Sequence, residues 1–331
     1  MPEPTLDVIA IGNAIVDVIA SADDQFIDAE GLPKGSMRLI DEEAATHLYE
    51  RMGAGREVSG GSAANTVAGM ASMGARVGFI GQVADDMLGQ VFAHDIRAAG
   101  VRFDTAVRSG QPATARCLIL VTPDAQRTMN TFLGASQFLP AEALDASLIQ
   151  SAAILYLEGY LWDPEEPRAA MRAAIEYARA AGRKVAFTLS DAFCISRHRQ
   201  DFLKLIDGGL IDILFANEVE VTSLVEQQDF DAAIAQLSAK VPLLVVTRGA
   251  EGAIAVKEGR RFEVRAEPVS AVVDTTGAGD LFAAGFLAGQ AQGRDVEASL
   301  RMGAIAAAEV ISHYGARPES KLDALIAERL G

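Results

Sequence analysis

The chain opens on a short apolar run, Asp7-Val-Ile-Ala-Ile-Gly12, the pattern of a buried strand ending in a turn. Between 15 and 40, Val and Ile mix with polar residues and with Gly31, Pro33 and Gly35. That mixture predicts short strands and loops rather than a long helix. Over 62–73, Val67, Met70 and Met73 recur at helical spacing among small residues, and Gly74 stops the helix. A strand at 77–81 and a helix at 86–99, stopped by Gly100, follow.

Residues 101–133 read differently. Arg116-Cys-Leu-Ile-Leu-Val-Thr122 is a strand, 123–126 a turn, and 127–132 a returning strand. From Ile154 the alternation becomes regular, with strands at 153–158, 184–190, 211–216 and 243–247 and a helix at 165–181. A hairpin is expected at 252–266 and three helical segments at 278–330. Strand–helix alternation on this scale predicts one α/β domain: a doubly wound, mostly parallel sheet flanked by helices. The β-rich pieces at about 15–40 and 101–133 do not fit that core. They are expected to form a small sheet beside the site, a lid that excludes water.

Composition supports a globular chain: of 331 residues, 50% are apolar and 22% charged. The formal net charge of −16 argues against nucleic acid or anionic lipid as partners. It also requires that any anionic ligand be held locally, by backbone N–H groups, a metal and a few basic side chains. Cys117 and Cys194, both in apolar surroundings, make no disulfide framework or zinc motif and suit a reducing compartment. With no secretory leader pattern and no apolar run long enough to span a bilayer, a soluble cytoplasmic protein is expected. Monomer and homodimer both remain open.

Five segments carry candidate chemistry. In Asp274-Thr-Thr-Gly-Ala-Gly-Asp280, Gly277 and Gly279 permit tight turning before an apolar helix. Backbone N–H groups at such a helix start make an anion hole without basic side chains. Asp280 is then either an ordinary helix-start acid or a base placed beside the anion. In Ser59-Gly-Gly-Ser-Ala-Ala-Asn65, Gly60 and Gly61 open a helix, and Asn65 can cap it or bind a hydroxyl-rich ligand. Gly12-Asn13-Ala-Ile-Val-Asp17 follows the first strand. Asp17 sits among Ile and Val and needs a partner, either ligand hydroxyls or a local turn. Asn217-Glu-Val-Glu220 follows a strand as a helix cap or as a site for hydrated magnesium. Thr247-Arg-Gly-Ala-Glu-Gly252 is a plain turn or a close backbone approach to a nucleotide.

Together, in this order, the segments resemble the ribokinase-like (pfkB) family of carbohydrate and nucleoside kinases from residue 7 to about 320. The 274–280 segment matches that family's C-terminal signature, and Gly60–Asn65 its N-terminal one. The resemblance implies ATP and Mg²⁺, with a monovalent cation such as K⁺ near Asp274 in some members. It implies Asp280 as the base and the N–H groups of Gly277, Ala278 and Gly279 as the hold on the transferred phosphoryl group. Arg127 would reach the phosphates, Asn217 and Glu220 would hold magnesium through water, and Thr247, Gly249 and Gly252 would line the ATP pocket. Asn13, Asp17, Gly60, Gly61 and Asn65 would hold the acceptor. Within the family the chain is most similar to the adenosine kinases, whose purine is flanked by aromatics; Tyr160 and Phe193 stand at the matching positions. Thr188 replaces an Asn common in that group, and Tyr160-Leu161 a Phe pair. A sugar kinase acting on ribose or fructose is the alternative, and a non-catalytic nucleotide-binding regulator a further one.

Overall fold

The computed structural model describes residues 3–124 and 126–330; Ala125, in the turn expected at 123–126, lies outside them. In chain order the strands begin with β1 (Leu6–Ile11), β2 (Ile15–Ser21), β3 (Met37–Leu39), β4 (Arg56–Gly60), β5 (Val77–Ile80), β6 (Arg102–Phe103) and β7 (Ala115–Val121). They continue with β8 (Arg127–Phe132), β9 (Ala152–Glu158), β10 (Lys184–Thr188), β11 (Ile213–Asn217), β12 (Leu243–Thr247), β13 (Ala253–Lys257) and β14 (Arg260–Val264). The helices are α1 (Asp24–Ala29), α2 (Glu42–Arg51), α3 (Ser62–Ser72), α4 (Met87–Ala98), α5 (Ala146–Gln150) and α6 (Glu165–Ala180). After them come α7 (Ala192–Asp207), α8 (Glu218–Val225), α9 (Phe230–Ser238), α10 (Ala278–Ala291), α11 (Val296–Val310) and α12 (Leu322–Leu330).

Nine strands form one sheet in the order β14-β13-β12-β11-β10-β9-β1-β5-β6. From β12 to β6 every pairing is parallel, and the hairpin β13–β14 closes one edge antiparallel. The central strands are apolar on both faces, as a sheet covered on both sides requires: Ile154, Leu155, Tyr156 and Leu157 are all buried. One core joins the sheet to α3, α10 and α11, the other to α6, α7 and α8.

Missing side chains let α3, α10 and α11 approach closely. A Cβ at Gly69 of α3 would stand 2.6 Å from Leu281 Cδ1 of α10. One at Gly285 would stand 2.4 Å from the Met302 carbonyl of α11. This seam fixes where α10 begins, and therefore where Asp280 stands.

The second sheet has five strands in the order β3-β8-β7-β2-β4. Two expectations are corrected here. Residues 102–103 do not join this sheet: β6 pairs with β5 on the edge of the large one, because Phe103 packs against Phe79 and Phe92 at 6.0 and 5.3 Å between ring centres. Conversely, β4 does belong to it, pairing Ile15 with Gly60. Its sequence Arg-Glu-Val-Ser-Gly is too polar to read as a strand without that partner. Both cysteines are free and buried, and burial raises the Cys117 thiol to about 12, so it stays protonated at neutral pH. No helix among the described residues is long and apolar enough to cross a membrane.

Candidate active site

The two sheets meet where the chain passes between them. It leaves the large sheet at Ile11, crosses Gly12-Asn13-Ala14, and enters the small sheet at Ile15. It returns from β4 through Gly61 directly into α3. A cavity of about 420 Å³ lies between the sheets. Asp17, Cys117 and Thr131 of the small sheet form one wall. The other wall is made by the carboxyl ends of β9 to β12 and the starts of α3 and α10. An open α/β sheet offers its site on this side because the strand ends and helix starts converge there.

Within the 274–280 turn, the buried Asp274 carboxylate accepts four hydrogen bonds. They come from Thr276 N (3.0 Å), Thr276 Oγ1 (2.8 Å), Gly315 N (2.9 Å) and Arg127 Nη1. A carboxylate has about four lone-pair sites, so none remains for a monovalent cation. The residues around Asp274 therefore do not fit K⁺ through this carboxylate. Gly277 caps α10 in the left-handed region at φ 79°, and a Cβ there would meet Ala316 Cβ at 2.7 Å. The Ala278 N–H donates to Thr275 O at 3.2 Å. Those of Gly277 and Gly279 have no partner among the described residues and border the cavity. At the positive end of a helix, free donors of this kind suit an anion.

Asp280 lines the cavity one position further on. Its carboxylate accepts from Ser62 Oγ (2.7 Å) and Asn65 Nδ2 (3.0 Å), both on the first turns of α3. Burial pushes its pKa up, opposed by those two hydrogen bonds and by the Arg317 charge. Asn65 Oδ1 is buried with no partner. Asp17 faces the same cavity from β2, and no described residue donates a hydrogen bond to its carboxylate. Burial raises it to about 6, against the charges of Arg317 and Arg127 and with that of Asp280. Gly60 is needed beside it, since a Cβ there would stand 2.5 Å from Asp17 Oδ2. Gly61 is needed at φ 99°, its Cβ position being 2.1 Å from the Asn13 carbonyl.

Arg127 reaches from β8 to Asp274 and to Thr276 Oγ1 (2.7 Å), while its Nε and Nη2 are buried and unpartnered. It faces a smaller cavity of about 60 Å³ that shares Asp17, Asn65 and Thr276 with the main one. Arg317 lines that cavity too. It donates to Ser59 O (3.0 Å), Ala64 O (2.6 Å) and Ser59 Oγ (2.9 Å). Burial depresses its pKa to about 10, partly offset by Asp95, Asp17 and Asp280.

At the far end, Asn217 and Glu220 close on each other as a capping box. Asn217 Nδ2 donates to Glu220 Oε1 (2.6 Å), Asn217 N to Glu220 Oε2 (3.1 Å), and Glu220 N to Asn217 Oδ1 (2.9 Å). Each Glu220 oxygen keeps a free lone pair, both residues line the cavity, and burial raises the carboxyl to about 7. That suits a cation held through its water shell, which would restore the charged form. No group of three or more His, Cys, Asp or Glu among the described residues makes a direct metal site. Thr247 and Tyr160 also line the cavity. Tyr160 is tied to Ser190, whose φ is 71°, through N→Oγ and OH→O contacts of 3.2 Å.

Six expected residues stand outside the wall of the main cavity: Arg127, which faces the smaller one, Gly60, which packs against Asp17, and Phe193, Asn13, Gly249 and Gly252. Phe193 is 73% exposed at the start of α7. Asn13 is buried, with Nδ2 on Glu158 and Oδ1 accepting from Ser136. Gly249, at φ 54°, has open space around its Cβ position, and Gly252 is required because a Cβ would meet Val264 O at 2.1 Å. Sequence reasoning missed Ser62, Glu158 and Arg317. Ser62 lies in a segment already singled out. Glu158 and Arg317 carry no local motif, and their roles arise from contacts across the fold.

The pfkB family of carbohydrate kinases matches residues 11–322. The structure of adenosine kinase from Sinorhizobium meliloti is 47% identical, with TM-score 0.91 over 98% of this chain and 99% of that one. A probable sugar kinase from Rhizobium etli CFN 42 is 44% identical, with TM-score 0.92 over the same shares. The 5-dehydro-2-deoxygluconokinase of Shouchella clausii is 30% identical, covering 82% of this chain and 86% of that protein.

Proposed function

Since the chain belongs to the pfkB family of carbohydrate kinases, and is thus an ATP-dependent phosphotransferase, we propose that its acceptor is a nucleoside, adenosine foremost, phosphorylated on the 5′-hydroxymethyl group. The observation that carries this reading is the pairing of two carboxylates in one cavity. Asp17 has no protein donor, and Asp280 is held beside free helix-start N–H groups.

Each part then has a task. Asp17 accepts hydrogen bonds from the two ribose hydroxyls, which replaces the water lost on burial. That places the hydroxymethyl group toward Asp280, which takes its proton as the oxygen attacks the γ-phosphorus of ATP, the bond from that phosphorus to the β–γ bridging oxygen breaks and ADP leaves. The free N–H groups of Gly277 and Gly279 meet the charge on the transferred phosphoryl group, while that of Ala278 is spent on Thr275 O. Arg127 brings its two free donors to the same charge. Thr247, Asn217 and Glu220 border the nucleotide, and the last two would hold hydrated magnesium, whose charge neutralises phosphate oxygens when bound. Tyr160 offers an aromatic face to the base. Gly249 and Gly252 shape the turn beside the nucleotide rather than touching it. The small sheet serves as the lid.

The similarity to a probable sugar kinase and to 5-dehydro-2-deoxygluconokinase favours a second reading in which the acceptor is a free sugar. Coupled ADP release, measured over adenosine, other nucleosides, ribose, fructose and 5-dehydro-2-deoxygluconate, separates the two. Adenosine should give the highest kcat/KM. A sugar that exceeds every nucleoside overturns the nucleoside reading, and no ADP release on any acceptor defeats the kinase reading itself.

A further inference from the structure

We propose that Glu158 is a positioning residue of this site: it locks the β1–β2 crossing and the start of α3 together, and so sets the distance between Asp17 and Asp280. This rests on the reading of Asp280 as the base.

Glu158 ends β9 and is 0% exposed. Its carboxylate lies outside the cavity wall and touches no ligand space. Oε1 accepts from Asn13 N and Asn13 Nδ2, both at 2.7 Å, and Oε2 from Ala63 N at 2.7 Å. These donors lie on two separate pieces of chain. Asn13 stands in the three-residue crossing that leads into β2 and Asp17. Ala63 stands in the first turn of α3, between Ser62 and Asn65, the two residues that hold the Asp280 carboxylate. The Thr66 hydroxyl of α3 lies within reach of two carbonyls, Ser62 O at 3.1 Å and Asp280 O at 3.2 Å, and shares its one proton between them.

Two further observations show that the surroundings are built around this carboxylate. A Cβ at Gly12 would stand 2.5 Å from Glu158 Oε2, so glycine is required there to admit it. Asn13 Nδ2 points at Glu158 while Asn13 Oδ1 stands 2.8 Å from Ser136 Oγ, whose single proton is shared between that oxygen and the Leu133 carbonyl at 2.6 Å. Three donors converge on this carboxyl group, which favours its ionised, acceptor-only form. The titratable groups that face it are Asp280 on α10 and the Tyr156 phenol on its own strand. The β1–β2 crossing and α3 present Gly12, Asn13 and Ala63. Burial foremost, opposed by the Asn13 and Ala63 donors, raises Glu158 to about 7. Its protonation therefore falls in a range where activity can be measured.

Glu158→Gln tests the role. The amide keeps the size and the two bonds from Asn13 but sets its NH₂ against Ala63 N–H. The expected result is a folded protein with kcat lowered about 10- to 100-fold, the scale of a small misplacement of reacting groups, and with KM for ATP unchanged. The acid limb of kcat near pH 7 in the wild type should weaken in the variant. A folded E158Q with wild-type kcat and an unaltered pH profile overturns the proposal. If E158Q does not fold, Ser136→Ala decides, because it loosens Asn13 from the opposite side. A several-fold lower kcat at constant ATP KM supports the role, and wild-type kcat there overturns it, leaving Glu158 as a folding residue. A wild type that releases no ADP on any acceptor defeats the kinase reading instead, so the two failures are distinguishable.

Discussion

Two carboxylates in the cavity differ in what satisfies them, and that difference predicts different phenotypes. Asp280 is held by Ser62 and Asn65, so Asp280→Asn should keep its place and lose only its basicity. Turnover should fall by about 10²–10⁴-fold, the usual range for a general base, with acceptor KM little changed. Near-normal kcat would remove Asp280 from the chemistry. Asp17 has no donor among the described residues, and burial lifts its pKa to about 6, above its ordinary value of 3.8. It is neutral below that point and charged above it. Hydroxyl binding should therefore strengthen as pH rises through about 6, and kcat/KM for the acceptor should show an acid limb there. Asp17→Asn should raise acceptor KM at least about tenfold and flatten that limb. A variant that keeps the limb would assign it to another group. Local sequence could place both acids at strand and helix ends, but it could not tell their surroundings apart. The Glu158 donors lie 95 and 145 residues away, a separation at which no motif is visible.

At the level of elements, legibility followed burial. The central strands of the large sheet are apolar on both faces and short, which is why 153–158 and 243–247 could be read directly. Residues 102–103 and 56–60 could not, since one is too short and the other too polar to show a period. The helix start at 62 was legible from its glycines, but the reason for small residues along α3 was not. Gly69 is small because α10 passes over it. Gly69→Ala should overpack that crossing and lower stability by about 1–3 kcal/mol, as read by urea unfolding. It should also lower kcat, because displacing α10 carries Asp280 away from Asn65. A variant that loses stability but keeps full kcat would show that the seam supports the fold without aligning the site.

The whole molecule carries a formal charge of −16, and its proposed co-substrate is a polyanion. The site answers with Arg127, Arg317 and backbone N–H groups, but diffusional approach still meets the field of the entire surface. The Debye length shrinks from about 30 Å at 0.01 M salt to about 8 Å at 0.15 M. Over that range kcat/KM for ATP should rise as the repulsion is screened. A steady fall would mean that the local arginines outweigh the surface.

The crossing at Gly12-Asn13-Ala14 also divides the two acids between the sheets. Asp17 travels with the small sheet, while Asp280 and the anion turn stay with the large one. On the proposed reading, an acceptor that contacts both acids must bridge the two sheets, so its hydroxyl pair and its reacting hydroxyl are read by different parts of the fold.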